Sequence, residues 1–223
     1  MPAQTFIAVG DIHDKLANLE RIPELGTAAG IIITGDMTNR RRTRGGRVHP
    51  EHRLPAWRRA SMPRSATWDK PGSEAALDSM GVNIHRRGLE LAPGVGLMGI
   101  GWSTPTPFGT PSEVPEWVLE GWLEETFAQV KNYPRFVLVC HTPPKDTATD
   151  VIRGGTHVGS QVVRAFIEKR APVVCLTGHI HEARATDRIG PTLVVNPGML
   201  SKGGYALLTV DGEKVGAELK ALD

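Results

Sequence analysis

The sequence predicts an α/β fold in which two β-sheets lie between helices. Three observations carry this. The early part of the chain alternates strand, helix and strand patterns. The later part supplies strands in quick succession. A chain of 223 residues, 40% hydrophobic, is long enough to bury a substantial core. "TFIAVGD" (5–11) is an apolar run ending in Gly-Asp, a buried strand feeding a loop. "DKLANLERIPEL" (14–25) puts Leu16, Leu19 and Ile22 or Pro23 at helical spacing, with Asp14 as N-cap. "GIIITGD" (30–36) is a second buried strand that also ends in Gly-Asp. Residues 72–80 read as a short helix capped by Ser73. "VNIH" (82–85), "LELA" (89–92) and "VGLMGIG" (95–101) are strands separated by Gly/Pro turns. "PSEVPEWVLEGWLEETFAQV" (111–130) is a long amphipathic helix opening at Ser112 or Glu113, with Trp117, Leu119, Leu123 and Phe127 along it. "SQVVRAFIEKR" (160–170) is a helix capped by Ser160, with Val162, Val163, Phe166 and Ile167 inward. "FVLVCH" (136–141), "PVVCLTG" (172–178), "TLVVNPG" (192–198) and "YALLTV" (205–210) are further strands. There is no internal repeat, and residues 1–223 are expected to form a single domain.

A mean hydropathy of -0.20 fits a soluble protein. No apolar run approaches the roughly 18 residues that span a membrane. The chain enters its first strand without a basic segment followed by an apolar one, so no signal peptide is expected. Cys140 and Cys175 both sit inside apolar runs and read as buried free thiols, which suits a reducing cytoplasm. The formal charge of +2 conceals an asymmetry. Residues 40–68 hold nine of the eighteen arginines, no lysine and one acid, Glu51. The basic charge belongs to that one segment, which argues against nucleic-acid binding by the domain as a whole. The segment itself, as an arginine tract, is open to non-specific phosphate contact, but no aromatic stacking pattern accompanies it.

Four strands end in residues that can bind metal. "GDIHD" gives Asp11 and His13, "TGDMTN" gives Asp36 and Asn39, "CHTPP" gives His141, and "TGHIH" gives His179 and His181. Each pattern alone is weak. Together they follow the rule that ligands in open α/β sheets gather beyond the carboxyl ends of the strands. Imidazole and carboxylate without thiolate suits Mn, Fe or Zn in a reactive centre more than a structural zinc. Asp11-x-His13 and His179-x-His181 each put two ligands on one loop, and a carboxylate such as Asp36 can bridge two cations about 3.5–4 Å apart.

Asp11-x-His13, Gly35-Asp36, His141 and Gly178-His179-x-His181, in that order, resemble the calcineurin-like metallophosphoesterases. The resemblance covers nearly the whole chain. "STPTPFGTP" (103–111), "HTPPKDTATD" (141–150), "GGTHVGS" (154–160) and "NPG" (196–198) look like the small stand-alone archaeal and bacterial predicted phosphoesterases. The resemblance implies a four-layer fold, two mixed β-sheets sandwiched between helices. It implies two divalent metal ions: Asp11, His13, Asp36 and His181 would hold one, and Asp36, His141 and His179 the other. It implies hydrolysis of a small phosphate mono- or diester by a hydroxide bridging the metals, with Asp36 fixing their spacing. His157, in "GGTHVGS" before a helix N-terminus, is a candidate phosphate contact, with a plain turn histidine as the other reading. Manganese is a suitable metal, and a homo-oligomer is left open.

One stretch departs from the family pattern. The second metal normally also takes the Asn of a G-N-x-D motif. Here Asp69 matches its Asp, but Thr67 stands at the Asn position within "SATWDKP" (65–71). Natural divergence is one reading, in which the site lost an amide ligand and binds its second metal weakly; the rival to an enzyme is a catalytically impaired binding or scaffold protein on the same fold. A frame error over residues 40–68 is the other reading of the stretch. The segment has neither helical nor strand periodicity. Codons for Ala66-Thr67-Trp68, read from one base earlier, permit Gly, Asn and Met, Leu or Val directly before Asp69. Under either reading the motif carries no histidine, so poor leaving groups should react slowly.

Overall fold

The computed structural model describes residues 2–37, 60–61, 78, 81–110 and 112–223. Its central strands are the apolar runs, and their side chains divide by alternation. One sheet has five strands in the order β11-β10-β1-β2-β3: β1 (Gln4–Val9), β2 (Gly30–Ile33), β3 (Ala60–Ser61), β10 (Gly204–Asp211) and β11 (Lys214–Ala221). The other has six, ordered β4-β5-β6-β7-β9-β8: β4 (Arg87–Ala92), β5 (Val95–Ile100), β6 (Arg135–Cys140), β7 (Val174–Leu176), β8 (Ala185–Ile189) and β9 (Thr192–Asn196). Both are mixed. β1–β2 and β5–β6–β7–β9 run parallel, while β10, β4 and β8 pair antiparallel with their neighbours.

Phe6, Ala8 and Ile32 face inward from the first sheet and meet Leu97, Val137, Val139, Leu176 and Val195 of the second. Their neighbours in sequence face out. Ile7, Val9, Ile31 and Ile33 pack on Ile12, Leu19 and Ile22. Met98, Leu138, Cys140 and Cys175 pack beneath two helices, α1 (Glu116–Val130) and α2 (Gln161–Arg170). Two mixed sheets face to face, with helices outside, are thus the architecture expected from the sequence. Among the described residues, no helix is long and apolar enough to cross a membrane.

Two acids of α1 hold α2 alongside it. Glu116 accepts from Ser160 Oγ at 2.6 Å and Val162 N at 3.2 Å, and Glu124 pairs with Lys169 at 2.9 Å and Arg170 at 2.6 Å. Ser160 caps α2, its Oγ accepting from Val163 N at 3.0 Å.

Several elements differ from expectation. Residues 14–25 form two short 3₁₀ turns, Leu19–Arg21 and Pro23–Gly26, rather than a helix. Pro23 forces Ile22 into extended backbone (φ -69, ψ 118), which interrupts helical hydrogen bonding. Asp14 takes φ 63 and is no N-cap. "VNIH" forms no continuous strand: Asn83 and His85 make isolated bridges, the latter with Gly99. α1 starts at Glu116 with Pro115 as its N-cap, and Trp117 is exposed while Leu119 and Leu123 are buried. Within residues 40–68, the backbone of Ala60–Ser61 pairs with Ile31 and Ile32 as a short strand. Asp78 is helical. Asn39, Thr67, Trp68, Asp69, Ser73 and the remainder of the arginine-rich segment lie outside the described residues.

Candidate metal centre

The parallel pairing of β1 and β2, Val9 opposite Ile33, sends both following loops out side by side. Asp11 N donates to Gly35 O at 3.2 Å and His13 N to Asp36 O at 2.9 Å, so the two loops stay locked beyond the sheet. In the second sheet, His141 follows β6 directly. The loop after β7 binds back to it, Gly178 N donating to His141 O at 3.1 Å. The two edges then meet. His141 Nδ1 lies 3.1 Å from Thr34 O, and His179 N donates to Asp11 Oδ1 at 3.2 Å. A carbonyl only accepts, so His141 Nδ1 carries the proton and Nε2 presents a lone pair.

Six of the seven strand-end residues singled out in the sequence converge here, Asn39 lying outside the described residues. Asp11, His13, Asp36 and His181 form one group, and Asp36, His141 and His179 another, the potential ligand atoms of each lying within 4.8 Å of one another. Asp36 belongs to both, its Oδ2 3.6 Å from His13 Nε2 and 3.7 Å from His141 Nε2. His13 Nε2 is 3.0 Å from His181 Nε2, and His181 Nε2 is 3.3 Å from Asp11 Oδ1. These spacings fit a divalent cation. Ligands at about 2.1 Å around a tetrahedral centre stand roughly 3.4 Å from each other. Asp11 Oδ2 is buried and has no hydrogen-bond partner among the described residues, a second sign that a cation belongs here.

The protonation states agree with a ligand role. Burial, with help from the neighbouring His179, pushes His141 down to about 3. Burial likewise pushes His179 down to about 4. Both are therefore neutral imidazoles at ordinary pH. Burial opposes charge on Asp11 and His181 too, but their mutual hydrogen bond prevails, lowering Asp11 and raising His181.

The backbone is strained where the candidates sit. Asp11 (φ 48), His13 (φ 49), Asp36 (φ 48) and His179 (φ 70) all occupy the left-handed region. Gly178 gives the loops room: a Cβ there would lie 2.9 Å from Thr34 Oγ1 and 3.2 Å from Asp11 Oδ2.

His157 is in neither group. Its Nδ1 pairs with Asp150 Oδ1 at 2.6 Å, and its side chain remains 37% exposed. Asp150 is buried and also accepts from Thr147 N (3.0 Å) and Gly159 N (2.9 Å), which fixes the loop after His141. Sequence reasoning missed Asp150, Thr34 and Asn196 as supports. Asn196 donates to Ile180 O at 3.0 Å and to Thr149 O at 3.3 Å, tying the His179–His181 loop to the Asp150 loop. The signal available for it was a polar Asn ending the buried run "TLVVN".

Fold and cluster together define a class: an α/β sandwich with a candidate two-cation centre at the carboxyl ends of its strands. A family model, "Metallophosphoesterase, calcineurin superfamily", matches residues 108–219. The chain belongs to that family. It is also 39% identical over 125 residues to an uncharacterized protein of Methanocaldococcus jannaschii, covering 54% of this chain and 56% of the relative. The match thus spans about half the length of that relative. A crystal structure from Thermus thermophilus shares the fold with a TM-score of 0.63 at 19% identity, covering 97% of this chain and 99% of that one. A putative 5'-nucleotidase from Staphylococcus aureus does so with a TM-score of 0.62 at 14% identity, covering 99% of this chain and 54% of that one.

Proposed function

We propose that residues 1–223 act as one metallophosphoesterase domain, a two-cation hydrolase of small phosphate mono- or diesters. The observation that carries this reading is Asp36, shared between two ligand groups whose other members differ. Asp11, His13 and His181 would complete the first site, and His141 and His179 the second. Two divalent ions held by these residues, Mn or a similar metal, would supply Lewis acidity toward phosphoryl oxygens and water. The chain's residues do the rest. Asp36 sets the spacing between the two sites. Thr34 O holds His141 in one tautomer, with Nε2 aimed at Asp36. The left-handed loops aim the carboxylates before any ion arrives.

His157 is assigned a second role, contact with a phosphoryl oxygen or delivery of a proton to the leaving oxygen. Its hydrogen bond to Asp150 raises its pKa and favours the imidazolium. Free buried thiols at Cys140 and Cys175 support a reducing, cytoplasmic setting.

Metal content and turnover test this reading. Protein supplied with Mn2+ should hydrolyse bis(p-nitrophenyl) phosphate, and a chelator should stop it. Asp36→Asn should remove more metal than any single histidine substitution. Full occupancy in Asp36→Asn would sink the shared-ligand role. Metal uptake without hydrolysis of any phosphoester would indicate a binding protein on the same fold.

A further inference from the structure

Phe108 is 72% exposed, an uncommon position for an aromatic ring with no polar tip of its own. The turn that carries it is well built. Ser103 and Glu113 pair across its base, and Val114 N donates to Ser103 O at 2.9 Å. Within it, the Glu113 carboxylate gathers Thr106 Oγ1 at 2.6 Å, Thr110 N at 2.8 Å and Thr110 Oγ1. Phe108 N donates to Thr106 Oγ1 at 3.2 Å, and Gly109 closes the turn at φ 57. The backbone is thus fixed while the ring is left in water.

The base of the turn stands beside the metal cluster. It leaves β5 at the edge from which His141 leaves the parallel strand β6, Ile100 being opposite Cys140. Thr104 N donates to Thr142 Oγ1 at 3.3 Å, next to His141. Trp117 is equally exposed, but it sits on α1 beside Glu116, whose bonds go to α2.

We propose that Phe108 is a platform for an aromatic ring carried by the substrate, stacking on the part of the phosphoester that lies away from phosphorus. The inference rests on the phosphoesterase reading and narrows it to esters bearing an aryl or nucleobase group. A stacked ring is accepted by its π-face, so the platform would select for planarity rather than for one hydrogen-bond pattern.

Two phosphonates, which have no ester bond to cleave, separate binding from turnover. With Mn2+ present, calorimetric titration of the full chain should show benzylphosphonate, a carbon-bridged analogue of an aryl phosphate ester, binding about tenfold more tightly than methylphosphonate. Phe108→Ala should abolish that preference, Phe108→Trp should keep it, and Trp117→Ala should leave it intact. Absence of a benzyl preference in the unaltered protein, its survival in Phe108→Ala, or its equal loss in Trp117→Ala would overturn the proposal. Hydrolysis of dimethyl phosphate and bis(p-nitrophenyl) phosphate by the unaltered protein, measured in parallel, reports on the enzymatic reading whether or not a ring is held. A Phe108-dependent preference without hydrolysis would uphold the platform and remove the enzyme.

Discussion

Single atoms decide the site. At Gly178 the nearest neighbours of an added methyl are Thr34 Oγ1, Asp11 Oδ2 and His141 Nδ1, the last at 3.4 Å. Gly178→Ala should therefore push the two loop pairs apart and weaken metal binding about 10- to 100-fold, with little change in helix content. Competition with a metal-sensitive dye would read this, and unchanged affinity would show that the loops relax without cost. His157 provides a pH test. Its pKa is raised, chiefly by the hydrogen bond to Asp150. A raised value means that its contribution is complete below the unfolded pKa and is lost as pH rises through the folded one. The Gly159 amide, which also donates to Asp150, should exchange faster with solvent as pH rises through that range, beyond the intrinsic pH effect. His157→Gln should remove the excess. The six clustered residues were legible because each ends an apolar run with a polar group. Their supports were not. Thr34 acts through its carbonyl, and Asn196 and Asp150 act through loop backbones that no local pattern pairs.

The elements follow the same division. Buried strands announced themselves through runs such as "GIIIT" and "FVLVC". β8 and β11 did not, because they are edge strands with one face in water. Val215, Ala217 and Leu219 do alternate in β11, and they pack on the central core, but charged neighbours dilute the signal. The expected helix at 14–25 failed at Pro23, although its apolar spacing still buries Leu19 and Ile22. In α1, Leu123 is fully buried, and Leu123→Ala should cost about 2–5 kcal/mol, read as a shift in denaturant midpoint. Trp117→Ser, on the exposed side of the same helix, should stay within about 0.5 kcal/mol. Ser160→Ala removes both a cap and the hydroxyl bound to Glu116, so it should cost about 1–2 kcal/mol. Its cost should be non-additive with Glu116→Gln in a double-mutant cycle. Strict additivity would mean that the helices are joined by packing alone.

At the scale of the whole molecule, the candidate centre is the seam where the two sheets touch at their carboxyl ends. A ligand that binds only the assembled seam stabilises the folded state by mass action, about 2.7 kcal/mol at one hundred times its dissociation constant. Chelation should accordingly lower the melting temperature, and Asp36→Asn should blunt that response. The seam also has a history in time. Asp11 meets His179, and His13 meets His181, across 168 residues of chain, while Thr34 meets His141 across 107. Closing such loops is slow relative to forming turns or single helices. A half-folded chain holds three candidate ligands on each sheet, Asp11, His13 and Asp36 on one and His141, His179 and His181 on the other, and offers no complete cage to an ion. Metal capture then becomes a late event, a signature of finished folding instead of its seed. In refolding followed by stopped flow, the metal-binding signal should trail the packing of Trp102 and Trp122, which lie partly buried against the core beneath the helices, and adding metal at the outset should not hasten collapse.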